Sequence, residues 1–426
     1  MEKPKKILVL MSGGVDSSVC AALLKQAGHE VAGVYLKLWE PSDTESLPAA
    51  QHKDSVSLGD PCWAREMQDA ARVAAHLGIP FTVWDVTQEY KERVLKNFYS
   101  EYAAGRTPNP DVLCNSEIKF GIGLTKALAA GYDYVATGHY AQLSSQSSVH
   151  SSQYELYAAV DKNKDQSYFL WQLTQEQLKH IMFPIGEYTK PQVREMAKKF
   201  GLHNAGKKDS QGVCFLGKIK LKEFLYGGSG QVTAAGATRD LATRSRQSGP
   251  IVDVHGNLLG YHDGLAHFTI GQRQGTKLGG NGPYFVVEKD LVHNTLVVAN
   301  EKDEPDYRAV ECTIRNVNWI GEYPESGRKL MARVRYRALL TSVNVHFHTI
   351  VYESACRVIF DEPARAVALG QSIVFYDGDN LIGGGIIRVA DFPAACRGIP
   401  GGRSGNPRFP EVYWRHGPHP HSSQCL

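Results

Sequence analysis

Three things are scarce in this sequence, and each scarcity excludes something. No stretch holds the roughly eighteen consecutive apolar residues of a membrane-spanning helix, so no membrane span is expected. Cysteine is thin, eight in 426 residues with no CxxC pair, which excludes a disulfide scaffold and points to a reducing compartment. Each thiol is thereby a candidate for chemistry rather than stapling. Excess charge is also missing: 47 Lys and Arg against 44 Asp and Glu leave a net charge of +3, so any site for a polyanion must be a local patch. The basic start, Met1 to Lys6, runs straight into an apolar strand without the apolar core of a signal peptide, and a cytoplasmic location is expected. With 426 residues and 42% apolar content the chain is long enough for two or three domains with their own cores.

What is present is organised around residues 6–18. Ile7 to Met11 is an unbroken apolar run, the pattern of a strand buried on both faces. Ser12-Gly13-Gly14 breaks it, and Val19, Cys20, Leu23, Leu24 and Ala27 then recur at helical spacing up to Gly28. A strand, a glycine turn and a helix N-terminus present backbone N–H groups and a positive dipole end, which suits phosphate. The loop is not a Walker A loop, because the nearest downstream lysine is Lys25, inside the helix, and it does not match G-x-G-x-x-G. Ser12-Gly13-Gly14-Val15-Asp16-Ser17 instead resembles the pyrophosphate loop of the ATP pyrophosphatase superfamily, whose members use ATP to adenylate a carbonyl oxygen.

Downstream, strands at Val31–Trp39, Phe81–Val86 and Tyr132–Thr137 alternate with helical patterns at Trp63–Leu77, Gln88–Ala104 and Ile118–Ala130. This alternation predicts an α/β fold with a doubly wound parallel sheet. Ligands of such sheets lie beyond the carboxyl ends of the strands, which gathers the glycine loop, Leu36 and Gly138-His139 at one crevice. The polar stretch Glu40 to Asp60 is expected to be a mobile loop over it.

Two cysteines stand in distinctive settings. Gly105-Arg-Thr-Pro-Asn-Pro-Asp-Val-Leu-Cys-Asn115 reads as a proline-stiffened loop that positions Asp111 and Cys114. Lys207-Lys-Asp-Ser-Gln-Gly-Val-Cys-Phe215 sets Cys214 beside two cations able to lower its thiol pKa. Together with Ala136-Thr-Gly-His-Tyr-Ala141 and Asn163-Lys-Asp-Gln-Ser-Tyr-Phe-Leu170, these segments resemble, in order from about Lys6 to about Arg388, the tRNA-specific 2-thiouridylase family.

That resemblance implies a catalytic domain of the adenine nucleotide alpha hydrolase-like type. It also implies ATP-dependent sulfuration of a tRNA wobble uridine to 2-thiouridine. Leu10, Met11, Ser12, Gly13, Gly14, Val15, Asp16 and Ser17 would hold ATP, with Leu36 (where the family usually carries Met) and Gly138 lining the adenosine pocket. Magnesium is expected with the ATP, with Asp16 as its ligand. By the same resemblance Cys214 would carry a persulfide delivered by a sulfur carrier protein or a cysteine desulfurase. Cys114 would complete the transfer, and Asp111 belongs to the catalytic set. Asn109, Pro110, Asp111 and His139 match contacts to the flipped base, and Lys164, Asp165, Gln166, Arg335, Tyr336 and Gln371 match tRNA contacts.

The remaining chain suits RNA holding. We expect a catalytic domain over 1–216, a small mixed domain over 217–303 and a C-terminal antiparallel β-barrel over 304–390, with a disordered tail over 391–426 rich in Pro, Gly, Arg and His. Gly227 to Arg246 departs from the family pattern. In the barrel, short strands recur at Met331–Tyr336, Ser342–Phe347, Ala355–Phe360, Ser372–Tyr376 and Leu381–Arg388. Alternation sets Arg333, Arg335 and Arg337 on one face, suited either to phosphates or to plain solvation. No metal-ligand spacing surrounds His139, and a monomer is expected. Two other readings remain open at this stage: another pyrophosphate-loop enzyme of the 4-thiouridine or lysidine synthetase type, or a non-catalytic RNA-binding module.

Overall fold

The computed structural model describes residues 3–39, 62–147, 152–208, 247–276, 278, 283–350 and 353–391. The chain begins as β1 (Lys6–Leu10), α1 (Val15–Gln26), β2 (Glu30–Lys37), α2 (Cys62–Leu77) and β3 (Phe81–Asp85). Two longer helical segments follow, α3 over 87–103 and α4 over 110–129, and then β4 (Tyr134–Ala136). A hairpin of β5 (Ala141–Ser147) and β6 (Ser152–Ala158) leads to α5 (Gln175–Leu178), β7 (Ile181–Met182) and α6 (Lys190–Lys199).

Five of these strands form a parallel sheet in the order β3-β2-β1-β4-β7. β1 is central because it is apolar on both faces. Ile7, Val9 and Met11 point into one core with α1, α2 and α6, while Leu8 and Leu10 point into the other with Phe120, Leu124 and Leu170. Strand order reverses at β1, so the crevice between the carboxyl ends of β1 and β4 is the switch point of the sheet. The doubly wound expectation holds.

The second unit is a four-stranded mixed sheet of β8 (Gly249–Asp253), β9 (Leu258–His262), β10 (Phe285–Asp290) and β11 (Thr295–Ala299), ordered β10-β11-β8-β9. β8 and β9 form a hairpin, with Gly256 at φ 87 in its turn. The third unit comprises β12 (Ala309–Trp319), β13 (Arg328–Arg333), β14 (Thr341–Ile350), β15 (Glu353–Ala364), β16 (Ser372–Asp377) and β17 (Asn380–Asp391). β12 pairs with both β15 and β17, closing an antiparallel six-stranded barrel that leaves no free edge inside its ring. β17 also pairs with β6 through Asn380–Tyr157 and Leu381–Leu156, so a hairpin of the first unit extends a strand of the third. Sequence spacing did not single out β12 or this junction.

Candidate active site at the switch point

The loop after β1 is shaped by contacts that require glycine. Gly13 sits at φ +72, and a β-carbon there would overlap the Glu66 carbonyl. Gly14 caps α1 without any side-chain acceptor, leaving the first turn of N–H groups for a ligand. From below, Asn204 Nδ2 donates to the Gly13 carbonyl (3.2 Å) and to Ser18 Oγ (2.9 Å), and Lys207 Nζ donates to the same carbonyl (3.1 Å) and to Asp69 (2.8 Å). Burial favours the neutral form of Asp69, but hydrogen bonds and charge from Lys207 and His203 outweigh it and hold the carboxyl below its usual range. Across the crevice, a β-carbon on Gly138 would lie 2.6 Å from Ser17 N. The segment after β4 therefore meets the first turn of α1 backbone to backbone. Gly138→Ala should push the loop outward by a fraction of an ångström and cost roughly a hundredfold in ATP-dependent turnover; single-turnover pyrophosphate release checks this.

Asp16 stands at the open side of α1 and is held on two sides. Tyr140 OH donates to its Oδ1 at 2.9 Å, and Lys190 Nζ lies 2.7 and 2.8 Å from its two oxygens. The sequence reading missed Tyr140, Lys190, Asn204 and Asp69. The available signal was Thr189-Lys-Pro-Gln192, a helix start with Pro early and a capping box, which fixes Lys190 in the first turn of α6.

The expected stiff loop around Cys114 is corrected. Only 105–109 is loop; Pro110 stands in the first turn of α4, where its missing N–H costs nothing, and Cys114 lies inside that helix. Over Cys114–Gly123 the helix is wound in the wide π form, a feature common at functional sites. Cys114 is 2% exposed and packs with Val94, Phe98 and Ile118, so its thiol is covered in this conformation. Asp111 and Asn109 are half-buried, Pro110 is buried, and Asn109 hydrogen-bonds the Tyr168 hydroxyl.

The barrel braces this segment. Gln371 Nε2 donates to the carbonyls of Thr107 (2.9 Å) and Pro108 (3.2 Å), and Thr107 N donates to the Leu369 carbonyl at 2.9 Å. Arg388 of β17 and Arg106 converge on buried Glu101, with Arg106 bidentate at 2.7 Å. Burial opposes ionisation of Glu101, yet the two guanidiniums win and hold its carboxyl below the usual range. Gln371 thus faces protein backbone rather than open surface.

Two further residues expected at an RNA surface lie inside. Asp165 is 2% exposed and accepts hydrogen bonds from Ala159 N and Ser167 N (both 3.1 Å), while its other oxygen meets Arg333 at 2.8 Å. His139 is buried between Phe120 and Phe183 with Nδ1 2.6 Å from Thr137 Oγ1. Burial, aided by the charge of Lys119, pushes its imidazole well below the usual range, so it is neutral at physiological pH. Gln166 and Lys164 are half-buried, and Gln166 Oε1 accepts from Tyr140 N at 3.0 Å. The expected single arginine face does not exist. β13 ends at Arg333, which turns inward to Asp165 and lies over Tyr376, while Arg337 takes φ +62 and stacks on Tyr336. A turn, not strand alternation, sets those side chains. Arg335 is exposed, and Tyr336 packs on Phe169 with ring centres 4.5 Å apart.

Leu36 lies at the end of β2, packed against the same cores as Phe120 and Ile118. Cys214, the 40–61 stretch, the 227–246 stretch and the tail after 391 lie outside the described residues. Among the described residues no group of three His, Cys, Asp or Glu could hold a metal, and no helix is long and apolar enough to cross a membrane.

A parallel sheet whose central strand ends in an S-G-G-x-D-S loop at the switch point defines a nucleotide-binding domain of the pyrophosphate-loop class. Family descriptions match along the whole fold: tRNA methyl transferase HUP domain over residues 5–218, tRNA methyl transferase PRC-barrel domain over 241–300, and aminomethyltransferase beta-barrel domain over 309–387. The chain is 43% identical to the tRNA-specific 2-thiouridylase MnmA of Lacticaseibacillus paracasei, over 90% of this chain and 94% of that protein. It is 42% identical to the proteins of the same name from Levilactobacillus brevis and Bacillus cytotoxicus, again over 90% of this chain and over 96% and 94% of theirs. The chain belongs to the tRNA-specific 2-thiouridylase family.

Proposed function

We propose that this protein is an ATP-dependent tRNA 2-thiouridylase that replaces the C2 oxygen of a wobble uridine with sulfur. The observation that carries the reading is the open N-terminus of α1 at the switch point, closed on its far side by Gly138, whose neighbour His139 packs on Phe120 of the helix bearing Asp111 and Cys114 with ring centres 5.9 Å apart. The family membership supports it, and ATP is the co-substrate. Leu10 to Ser17, Leu36 and Gly138 form the nucleotide site. The uridine O2 attacks the α-phosphorus, the bond to the bridging oxygen breaks, and its electron pair leaves on pyrophosphate. N3 gives up its proton as O2 is adenylated. The terminal sulfur of a Cys214 persulfide then bonds to C2, and AMP departs with the former O2. The Cys114 thiolate attacks Cys214 Sγ, and the broken S–S pair remains on the base sulfur. N3 regains a proton, leaving 2-thiouridine and a Cys114–Cys214 disulfide for a thiol reductant to reset.

The target base leaves the anticodon stack at a cost of a few kcal/mol. Asn109, Pro110 and Asp111 receive it, and neutral His139 forms the wall behind the crevice. Lys164, Gln166, Arg335 and Tyr336 are the direct RNA contacts of this reading. Asp165 and Gln371 act behind them as positioning residues, because their side chains are spent on Arg333 and on the 107–108 carbonyls. Both oxygens of Asp16 are bonded to Lys190, a donor set that fits magnesium poorly, and no step here is routed through that ion. The divisions at 216, 303 and 390, a monomeric state, a cytoplasmic location and delivery of sulfur by a carrier protein or cysteine desulfurase belong to the same reading.

Incubating the protein with tRNA, ATP and a persulfide source, then analysing nucleosides by mass spectrometry, tests it. 2-Thiouridine at the wobble position is expected, and sulfur at another position or none at all contradicts it. Arg335→Ala should weaken cognate and non-cognate tRNA alike and lower the salt dependence by about one unit of slope. Filter binding over a salt series checks this, and deletion of 392–426 is expected to change affinity less.

A further inference from the structure

The nucleotide loop has no lysine of its own, yet an ammonium group is held against it from 174 residues away in sequence. Lys190 is 7% exposed, with Nζ 2.7 and 2.8 Å from the Asp16 oxygens and 5.8 Å from the centre of the Tyr140 ring. Its own helix does not favour a cation there. It stands in the first turn of α6, where the helix dipole opposes positive charge, and its burial carries a desolvation cost. Its backbone is nevertheless fixed from two sides, by the Thr189–Gln192 capping box and by donation of Lys190 N to Asp161 Oδ2 at 2.9 Å. An apolar residue would close the same corner at no electrostatic cost. A locally disfavoured residue that is rigidly placed marks a functional position.

We propose that Lys190 is the phosphate cation of this nucleotide site. Held on Asp16 in the free protein, its ammonium contacts the β- and γ-phosphates of bound ATP and stabilises the pyrophosphate as it leaves. The Asp16 side chain is 30% exposed, so the ion pair lies at the mouth of the crevice and within reach of an incoming phosphate. An ammonium carries three donors, enough to keep one on Asp16 while others reach phosphate oxygens. When O2 of the base bonds to the α-phosphorus, the electron pair of the broken P–O bond adds negative charge to pyrophosphate, and the ammonium is already oriented towards it. Asp16 holds the lysine in place, as Lys207 holds the loop from below through the Gly13 carbonyl.

This inference rests on the ATP-dependent reading above. Lys190→Met, Lys190→Gln and Lys190→Arg in the full chain test it, with ATP and AMP affinities by calorimetry, pyrophosphate release with tRNA, and thermal melting. Lys190→Met should slow pyrophosphate release by at least roughly a hundredfold. It should also erase most of the preference for ATP over AMP, leave tRNA affinity unchanged, and be partly rescued in Lys190→Arg. A purely structural ion pair would weaken ATP and AMP equally, and that outcome, or wild-type pyrophosphate release, overturns the proposal. Lys190→Gln keeps a donor on Asp16, so if Lys190→Met does not fold, its ATP-to-AMP ratio decides in the same way. A wild-type protein that releases no pyrophosphate with any tRNA would defeat the functional reading instead, a result distinct from either Lys190 outcome.

Discussion

Asp16→Ala is expected to slow thiolation by about 10²–10³ while leaving tRNA binding intact. The carboxylate is bonded to Lys190 and Tyr140 at the open end of α1, and its removal frees a buried ammonium beside the phosphates and unties the Tyr140 hydroxyl. Losing one preorganised charge contact of this kind costs about 10²–10³ in turnover. Arg335, an exposed cation that follows β13 of the barrel, belongs to a separate unit with its own core. Affinity for tRNA should therefore stay within the range of additive, distant sites, about 0.5 kcal/mol. Equal losses of binding and turnover would show that phosphate handling and RNA handling are not separated in this way.

The second large effect divides the two thiols. Cys214→Ser should abolish persulfide loading, whereas Cys114→Ser should load sulfur on Cys214 and fail to release it onto the base. In the second variant a persulfide and an adenylated tRNA accumulate, both visible by mass spectrometry. The structure adds a condition absent from the sequence. Cys114 is buried in a cluster with Val94, Phe98 and Ile118, so the proposed attack on Cys214 is expected to need local opening around this thiol. A disulfide requires Cα atoms within about 7 Å. Mild oxidation of the wild-type protein followed by disulfide mapping should give Cys114–Cys214, and a Cys214→Ser enzyme that still thiolates tRNA would contradict the division of labour.

The parts of this molecule visible in the sequence are those set by local pattern. The apolar run Ile7–Met11, the glycine break and the alternation of strands with helices announce the parallel sheet and its switch point because burial on both faces leaves a continuous apolar run. Short, regularly spaced strands announced the barrel. Local pattern misled where tertiary contacts rule. Pro108 and Pro110 read as a loop through to Asn115, but a proline in the first turn starts a helix as readily as it stiffens a loop, and the 110–129 helix follows from it. Arg333 and Arg337 read as one basic face, yet a buried carboxylate 168 residues away draws Arg333 inward, and a left-handed turn directs Arg337 elsewhere. Lys190, Asn204 and Lys207 meet the nucleotide loop only because α6 and the segment after it pack against α1 and α2. No periodicity encodes such long-range meetings.

The central claim is that this site activates the base by transferring adenylate to its C2 oxygen before sulfur arrives. It is tested most directly by following that oxygen. A tRNA carrying a heavy-oxygen label at C2 of the wobble uridine is treated with the protein, ATP and a persulfide source, and the AMP and water are analysed by mass spectrometry. The account predicts that each 2-thiouridine formed is matched by one labelled AMP. Label recovered in water, with unlabelled AMP, would mean that sulfur displaces the oxygen without adenylation and would contradict the account.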